Sequence, residues 1–230
     1  MIAVVLAAGR GTRLDNGVPK PLVAVAGVPM IDRILEALFA EGFGDVVIVT
    51  GHRAREIEAH AADRQVRFAR QDEPLGTAHG LLAARDAIGD QSFLVSWVDV
   101  IVPPGTYRLT ATAASGRDGA VATNHLDDLS AGGAVTVENG LAISVVEKPG
   151  PISGWNLTGV LALSQGIWSR IDALHPSRRG EYELPEAVNA WIAAGAKVAA
   201  ISTEGPVFEV GTPEGLDAAD AYFSGDTRSA

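Results

Sequence analysis

Gly9 and Gly11 stand between a short apolar run, Ala3 to Ala8, and two cations of different geometry, Arg13 and Lys20. A glycine lets backbone N–H groups come close to an anion because no Cβ stands in the way. Arg13 brings a planar fork of donors, and Lys20, between Pro19 and Pro21, brings a mobile ammonium. A strand that empties into such a loop suits a polyphosphate. Further along, Gln71 offers an amide donor and acceptor side by side, which fits the edge of a pyrimidine. Gly76 permits close backbone approach, and Thr77 can cap the helix that follows it. Asp99 ends the apolar run Phe93–Val98, where a carboxylate is well placed to hold Mg2+ against phosphates.

The loop admits several readings. A dinucleotide fingerprint needs a third glycine where this chain has Leu14, and it leaves Arg13 and Lys20 unexplained. A Walker loop needs Gly-Lys-Ser/Thr, which does not occur here. A plain flexible surface loop does not account for the density of glycines and cations. The stretch LAAGRGTRL…PKPL instead resembles the G-x-G-x-R…K-P signature of the sugar-1-phosphate nucleotidyltransferases. Gln71 to His79, with Gln-x-x-x-Leu-Gly-Thr-Ala-His, is similar to the base-reading segment of the N-acetylglucosamine-1-phosphate uridylyltransferases.

That resemblance implies a set of roles. Leu6, Ala7, Ala8, Gly9, Gly11 and Thr12, with Gln71, Gly76 and Thr77, would bind the nucleotide. Arg13, Lys20 and Lys148 would be the catalytic cations, and Asp99 and Glu209 would hold Mg2+. Trp97, Glu147, Asn156 and Thr158 would face the acceptor. Gln71 points to UTP, then dTTP or CTP, since guanylyl-transferring relatives more often carry an acidic residue there. The chain departs from the pattern at three places. Val98 replaces the glycine before Asp99, and Glu209 stands where relatives have an aspartate. Leu157 precedes Thr158-Gly159 where an asparagine is usual, which sets Asn156 on the opposite face of its strand. The aromatic-x-Asp pattern at Trp97 resembles relatives that activate phosphocholine or phosphonates, so a cytidylyltransferase of that kind is the alternative. A non-catalytic nucleotide-sugar sensor is the second. Gly180-Glu181-Tyr182 is similar to a family segment that is either acceptor-side or structural, and no hexapeptide repeats of an acetyltransferase half follow.

The elements that must carry these residues alternate. Ala3–Ala8, Val46–Thr50 and Phe93–Val98 read as buried strands, with Val66–Ala69 a weaker one interrupted by Arg67. Helices fit a segment opened by Pro29 and closed by Gly42, then Ala54–Ala62 and Ala78–Ala87. This order predicts an α/β, Rossmann-like, mostly parallel sheet flanked by helices. Beyond residue 105 the pattern turns to strands at Ala120–Asn124, Gly133–Val137, Ala142–Glu147 and Trp155–Ala162, the second and third joined by a Glu138-Asn139-Gly140 turn. Helices at Gln165–Ala173, Leu184–Ala194 and Pro213–Tyr222, and a strand at Val198–Ser202, complete it. One domain is expected over 1–223, with a nucleotide half (1–105), an acceptor-side β extension (106–223) and a flexible tail at 224–230. With the resemblance, this implies a GT-A-like nucleotidyltransferase fold. In such sheets ligands bind beyond the C-terminal strand ends, where Gly9–Arg13, Gln71 and Asp99 fall.

Composition narrows the class. A net charge of -10 argues against nucleic acid as partner, so an anionic substrate must be met by local cations. The chain has no cysteine, hence no disulfide, thiolate metal site or Cys nucleophile. Its five histidines form no H-x-H or H-E-x-x-H pattern, and His79 is expected to pack on the helix after Thr77. No signal-peptide pattern or membrane-length apolar run is present, so a cytoplasmic location is the expectation.

Overall fold

The computed structural model describes residues 1–14 and 17–225, with the side chain of Thr12 left outside the described part. Residues 226–230 of the expected tail also lie outside the described residues, and Ser224 closes the last helix.

Strand β1, Ile2–Leu6, is apolar and buried on both faces. Ile2 and Val4 enter one core layer, Ala3 and Val5 the other, as a period of two requires. The strand stops before the expected Ala8, although Ala7 N still donates to Val49 O at 2.9 Å. A short antiparallel pair follows, β2 (Ala24–Val25) and β3 (Val28–Pro29). Ala26 and Gly27 turn it with φ of 47° and 77°, the two positive values that a tight hairpin turn needs. Helix α1, Met30–Ala40, has Pro29 at its N-cap and buries Ile31, Ile34, Leu35 and Leu38 on one face. Each of these side chains contributes roughly 1.5–3 kcal/mol relative to an exposed one.

Strand β4 (Val46–Thr50), helix α2 (Ala54–His60) and the sheet-edge strand β5 (Val66–Arg70) come next. The single helix expected over Ala78–Ala87 is two: α3 (Thr77–Ala83) and α4 (Arg85–Ile88). Ala84 N bonds to Leu81 O, a tightened contact that breaks the helix while keeping Leu81, Ala84 and Ile88 in the core. Then come β6 (Phe93–Trp97), β7 (Val100–Ile101) and α5 (Thr106–Ala113). Helix α5 has no apolar stripe to betray it, since Thr106 and Thr110 share its buried face with Tyr107. Nor does it have a cap of its own. Glu41 supplies one, accepting from Gly105 N and Arg108 N at 2.7 Å each.

The second half holds β8 (Gly119–Leu126), β9 (Gly133–Glu138), β10 (Leu141–Glu147) and β11 (Gly154–Leu163). The turn between β9 and β10 falls at Asn139-Gly140, with φ of 49° and 75°. The helix expected over Gln165–Ala173 is a 3-10 turn, Gln165–Ile167, leading into α6 (Trp168–Ile171). Helix α7 (Leu184–Ala193), β12 (Val198–Ser202), β13 (Phe208–Glu209) and α8 (Pro213–Phe223) finish the described chain.

Nine of these strands form one sheet in the order β5-β4-β1-β6-β11-β8-β12-β10-β9. Only β11 and β10 run against the other seven, so the sheet is mixed and mostly parallel, as expected. Helices α3, α4, α6 and α7 cover one face and α1, α2 and α5 the other. The two halves share this sheet, because β6 lies between β1 and β11.

Candidate active site

The loop after β1 leaves the sheet at Gly9 and Arg10, both exposed, and forms 3-10 turns at Thr12–Leu14 and Lys20–Leu22. Gly11 adopts φ 62°, and a Cβ there would lie 2.6 Å from Lys20 Cβ. Only glycine lets the loop close over the lysine stem. Lys20 Nζ in turn contacts Asp99 Oδ2, just past the end of β6.

A second carboxylate reaches the same place through a different element. Strand β13 pairs antiparallel with β7, setting Glu209 opposite Val100, and Val210 N donates to Asp99 O at 2.7 Å. The position of a Cβ on Gly211 would be 3.4 Å from Arg13 Nη2, 3.4 Å from Glu209 Oε1 and 3.6 Å from Lys20 Nζ. Arg13, Lys20 and Glu209 therefore converge on one point. Burial pushes the Glu209 carboxyl above the usual carboxylate range, and the charge of Asp99 adds to it, against Lys20, Arg13 and Lys148.

Gln71 marks the other end of the cleft. Its side chain is buried, and Nε2 donates to Gly76 O at 3.2 Å. Gly76 has φ 104°, and a Cβ there would strike Tyr182 O at 2.6 Å. Tyr182 is stitched to this segment from both sides: its N–H donates to Leu75 O at 2.7 Å, and its carbonyl accepts from Ala78 N at 2.9 Å. Thr77 does not cap its own helix, whose N-cap is Gly76; its hydroxyl accepts from Leu184 N at 2.9 Å and so caps α7. The Glu181-Tyr182-Glu183 segment, which sequence left between two roles, is thus a strap on the Leu75–Ala78 turn, while Glu181 and Glu183 also line the cleft. His79 does not simply pack, since its Nδ1 is 2.9 Å from Gln71 Nε2.

Lys148 and Glu147 face the cleft from the end of β10. Lys148 is exposed in the left-handed region, φ 49°, with its N–H on Gly132 O at 2.8 Å. A non-glycine residue held there costs on the order of 1–2 kcal/mol, the kind of local strain that collects at functional sites. Burial raises the Glu147 carboxyl, with the charge of Glu183 second. Arg179, which no sequence signal identified, ties this side together: its Nη2 is 2.5 Å from Glu183, 3.4 Å from Glu147 and 3.8 Å from Glu181.

Gly9, Arg13, Lys20, Gln71, Asp99 and Lys148 line one cleft of about 740 Å³. Leu6, Ala8, Gly11, Gly76, Thr77, Trp97, Glu147 and Glu209 join them. Ala7 does not, because its side chain is turned into the core layer under α1. Asn156 and Thr158 lie instead in an adjoining pocket of about 50 Å³, which shares Trp97, Glu147 and Glu209 with the cleft. Pairing of β11 with β8 is regular from Gly154 to Leu157 and shifts only between Leu157 and Leu161, and Asn156, Leu157 and Thr158 all line the small pocket. Asn156 accepts from Gly133 N at 3.2 Å and donates to Asn124 Oδ1 at 3.1 Å, and Thr158 donates to Ala122 O at 3.0 Å. Trp97 lies over Gly159, where a Cβ would be 2.5 Å from the ring, and its indole N–H is buried without a partner among the described residues.

Residues 3–201 match the MobA-like NTP transferase domain. The chain is 33% identical to the UTP–glucose-1-phosphate uridylyltransferase AglF of Haloferax volcanii, covering all of this chain and 99% of that protein. It is 34% identical to a glucose-1-phosphate thymidylyltransferase of Streptomyces antibioticus, over 89% of this chain and 61% of that one. Against the bifunctional protein GlmU of Agrobacterium fabrum it is 33% identical, over 87% of this chain and 47% of that longer protein. Among solved structures, a UDP-glucose pyrophosphorylase in complex with UDP-glucose superposes with a TM-score of 0.86 at 21% identity, covering 97% of this chain and 98% of that one. The last likeness speaks to the fold alone. With the glycine-rich loop, the carboxylate pair and the Gln71–Thr77 turn gathered in one cleft, these matches place the chain in the sugar-1-phosphate nucleotidyltransferase family, among the MobA-like NTP transferase domains.

Proposed function

We propose that this protein transfers a nucleoside monophosphate, UMP first and dTMP or CMP behind it, from the triphosphate to a sugar 1-phosphate and releases pyrophosphate. One observation carries the reading: the convergence of Arg13, Lys20 and Glu209 on Gly211, with Asp99 on Lys20, at one end of the cleft that holds Gln71. The uridylyltransferase and thymidylyltransferase names of its relatives support the base and the acceptor class.

The two carboxylates fit Mg2+, which takes one or two protein carboxylates and completes its shell with substrate phosphates. Bound by Asp99 and Glu209, Mg2+ would neutralise charge on the triphosphate. The chain's own residues do the rest. Lys148 holds the acceptor phosphate, whose oxygen is already ionised at neutral pH and needs no general base. That oxygen attacks the α-phosphorus in line; the new P–O bond forms as the bond to the bridging oxygen breaks, and its electrons leave with pyrophosphate. Arg13 and Lys20 sit where the charge of the leaving group develops. Lys20 must exchange Asp99 for phosphate as the triphosphate enters. Glu147 accepts hydrogen bonds from acceptor hydroxyls.

The test is a matrix of the common nucleoside triphosphates against sugar 1-phosphates, phosphocholine and phosphonates, read by pyrophosphate release. Turnover of UTP or dTTP with a sugar 1-phosphate is expected. Activity with GTP alone would sink the reading of Gln71, and no pyrophosphate with any pair would sink the enzyme.

A further inference from the structure

His79 has no part in that chemistry, yet it determines what Gln71 shows to the cleft. Gln71 Nε2 is 3.2 Å from Gly76 O and 2.9 Å from His79 Nδ1. A carbonyl can only accept, so the contact with Gly76 fixes which end of the amide is the NH2 group. Both of its N–H bonds are then engaged, and His79 Nδ1 must be an acceptor. The imidazole proton therefore resides on Nε2. What remains is Oε1, which has no protein donor among the described residues and lies beside Gly80, where a Cβ would come within 3.1 Å of it. The paired donor and acceptor that the sequence offered are reduced to an acceptor alone.

We propose that His79 is a positioning residue for base selection: by holding the Gln71 amide it leaves only Oε1 for the base. Oε1 accepts from the N3–H of uracil or thymine and faces a lone pair at N3 of cytosine. The inference rests on Gln71 reading the base.

Three proteins test it: the intact enzyme, His79→Leu and His79→Asn, whose Oδ1 stands where the histidine Nδ1 was. Leucine leaves one amide N–H without an acceptor, so the amide can turn. The ratio of kcat/KM for UTP over CTP is expected to fall about tenfold, the worth of one hydrogen bond, through a raised KM for UTP with kcat little changed. Asparagine is expected to restore the ratio. In 15N spectra of the ligand-free intact protein, the proton of His79 should sit on Nε2. A Leu variant with the intact ratio, an Asn variant as impaired as Leu, or a proton on Nδ1 would each overturn the proposal. Gln71→Leu separates the two levels. If it lowers UTP selectivity while His79→Leu does not, the base reading stands and the role of His79 falls; if Gln71→Leu changes nothing, both fall.

Discussion

Replacing Gly11 by alanine would separate the backbone cost of the phosphate loop from its chemistry. At φ 62° an alanine pays about 1–2 kcal/mol for the left-handed conformation. Its Cβ would also stand 2.6 Å from Lys20 Cβ, against a comfortable carbon–carbon separation of about 3.5–4.0 Å. The Lys20 stem must therefore move by about 1 Å, and a displacement of that size at a reacting centre costs about 100-fold in rate. Gly27→Ala is the control, because Gly27 has φ 77° with nothing within 4 Å of its Cβ position. Urea midpoints should fall in both variants, and further in Gly11→Ala, which adds the contact with Lys20 to the shared backbone cost. Pyrophosphate release at saturating substrates should drop about 100-fold in Gly11→Ala and hardly at all in Gly27→Ala. Intact turnover in Gly11→Ala, or an equal loss in Gly27→Ala, would refute the assignment of Lys20 to the reacting phosphates.

Glu209→Gln should abolish turnover while raising the melting temperature of the ligand-free protein at neutral pH. A carboxyl whose folded pKa is raised favours folding below its ordinary range and loses that contribution as pH rises through the folded value. The gain over the parent should therefore vanish below about pH 4, where both forms are neutral. Lys148→Gly should relieve the strain at φ 49° and stabilise the fold by about 1 kcal/mol, yet lower turnover by at least about 100-fold. Arg13→Ala should cost a similar factor in rate with an unchanged denaturation midpoint, its side chain being exposed. Gly159→Ala, which drives a Cβ into the Trp97 ring, should raise KM for the acceptor more than KM for the triphosphate, as read in steady-state assays.

The parallel half of the sheet was legible because β1, β4 and β6 are five-residue runs rich in apolar and β-branched residues, too short for helices and suited to strands buried on both faces. The phosphate loop was legible because glycines and cations are sequence-local. Helix α5 was not, since its cap is Glu41, far away in sequence, and its buried face carries threonines. Strands β7 and β13 have two residues each, too few for any periodicity, yet their pairing brings Glu209 to Asp99. Arg179 was missed because two of its partners, Glu181 and Glu183, make an ordinary local charge pattern, and the third, Glu147, is brought to it only by the fold. Gln71 was identified by type, but the amide's orientation depends on His79, one helical turn beyond Gly76 in space.

The strap at Tyr182 bears on any attempt to change which nucleotide this protein takes. Residues 71–79 look like a portable cassette, bounded by a strand and a helix. They are not portable. Gly76 leaves no space for a side chain against the Tyr182 backbone, Leu75 and Ala78 are bonded to it, and Thr77 caps α7. A graft of the base-side turn from another nucleotidyltransferase would have to bring the matching 180–184 segment with it. That segment carries Glu181 and Glu183, which line the same cleft. A donor chosen for its turn therefore imports its own pair of cleft-lining residues as well.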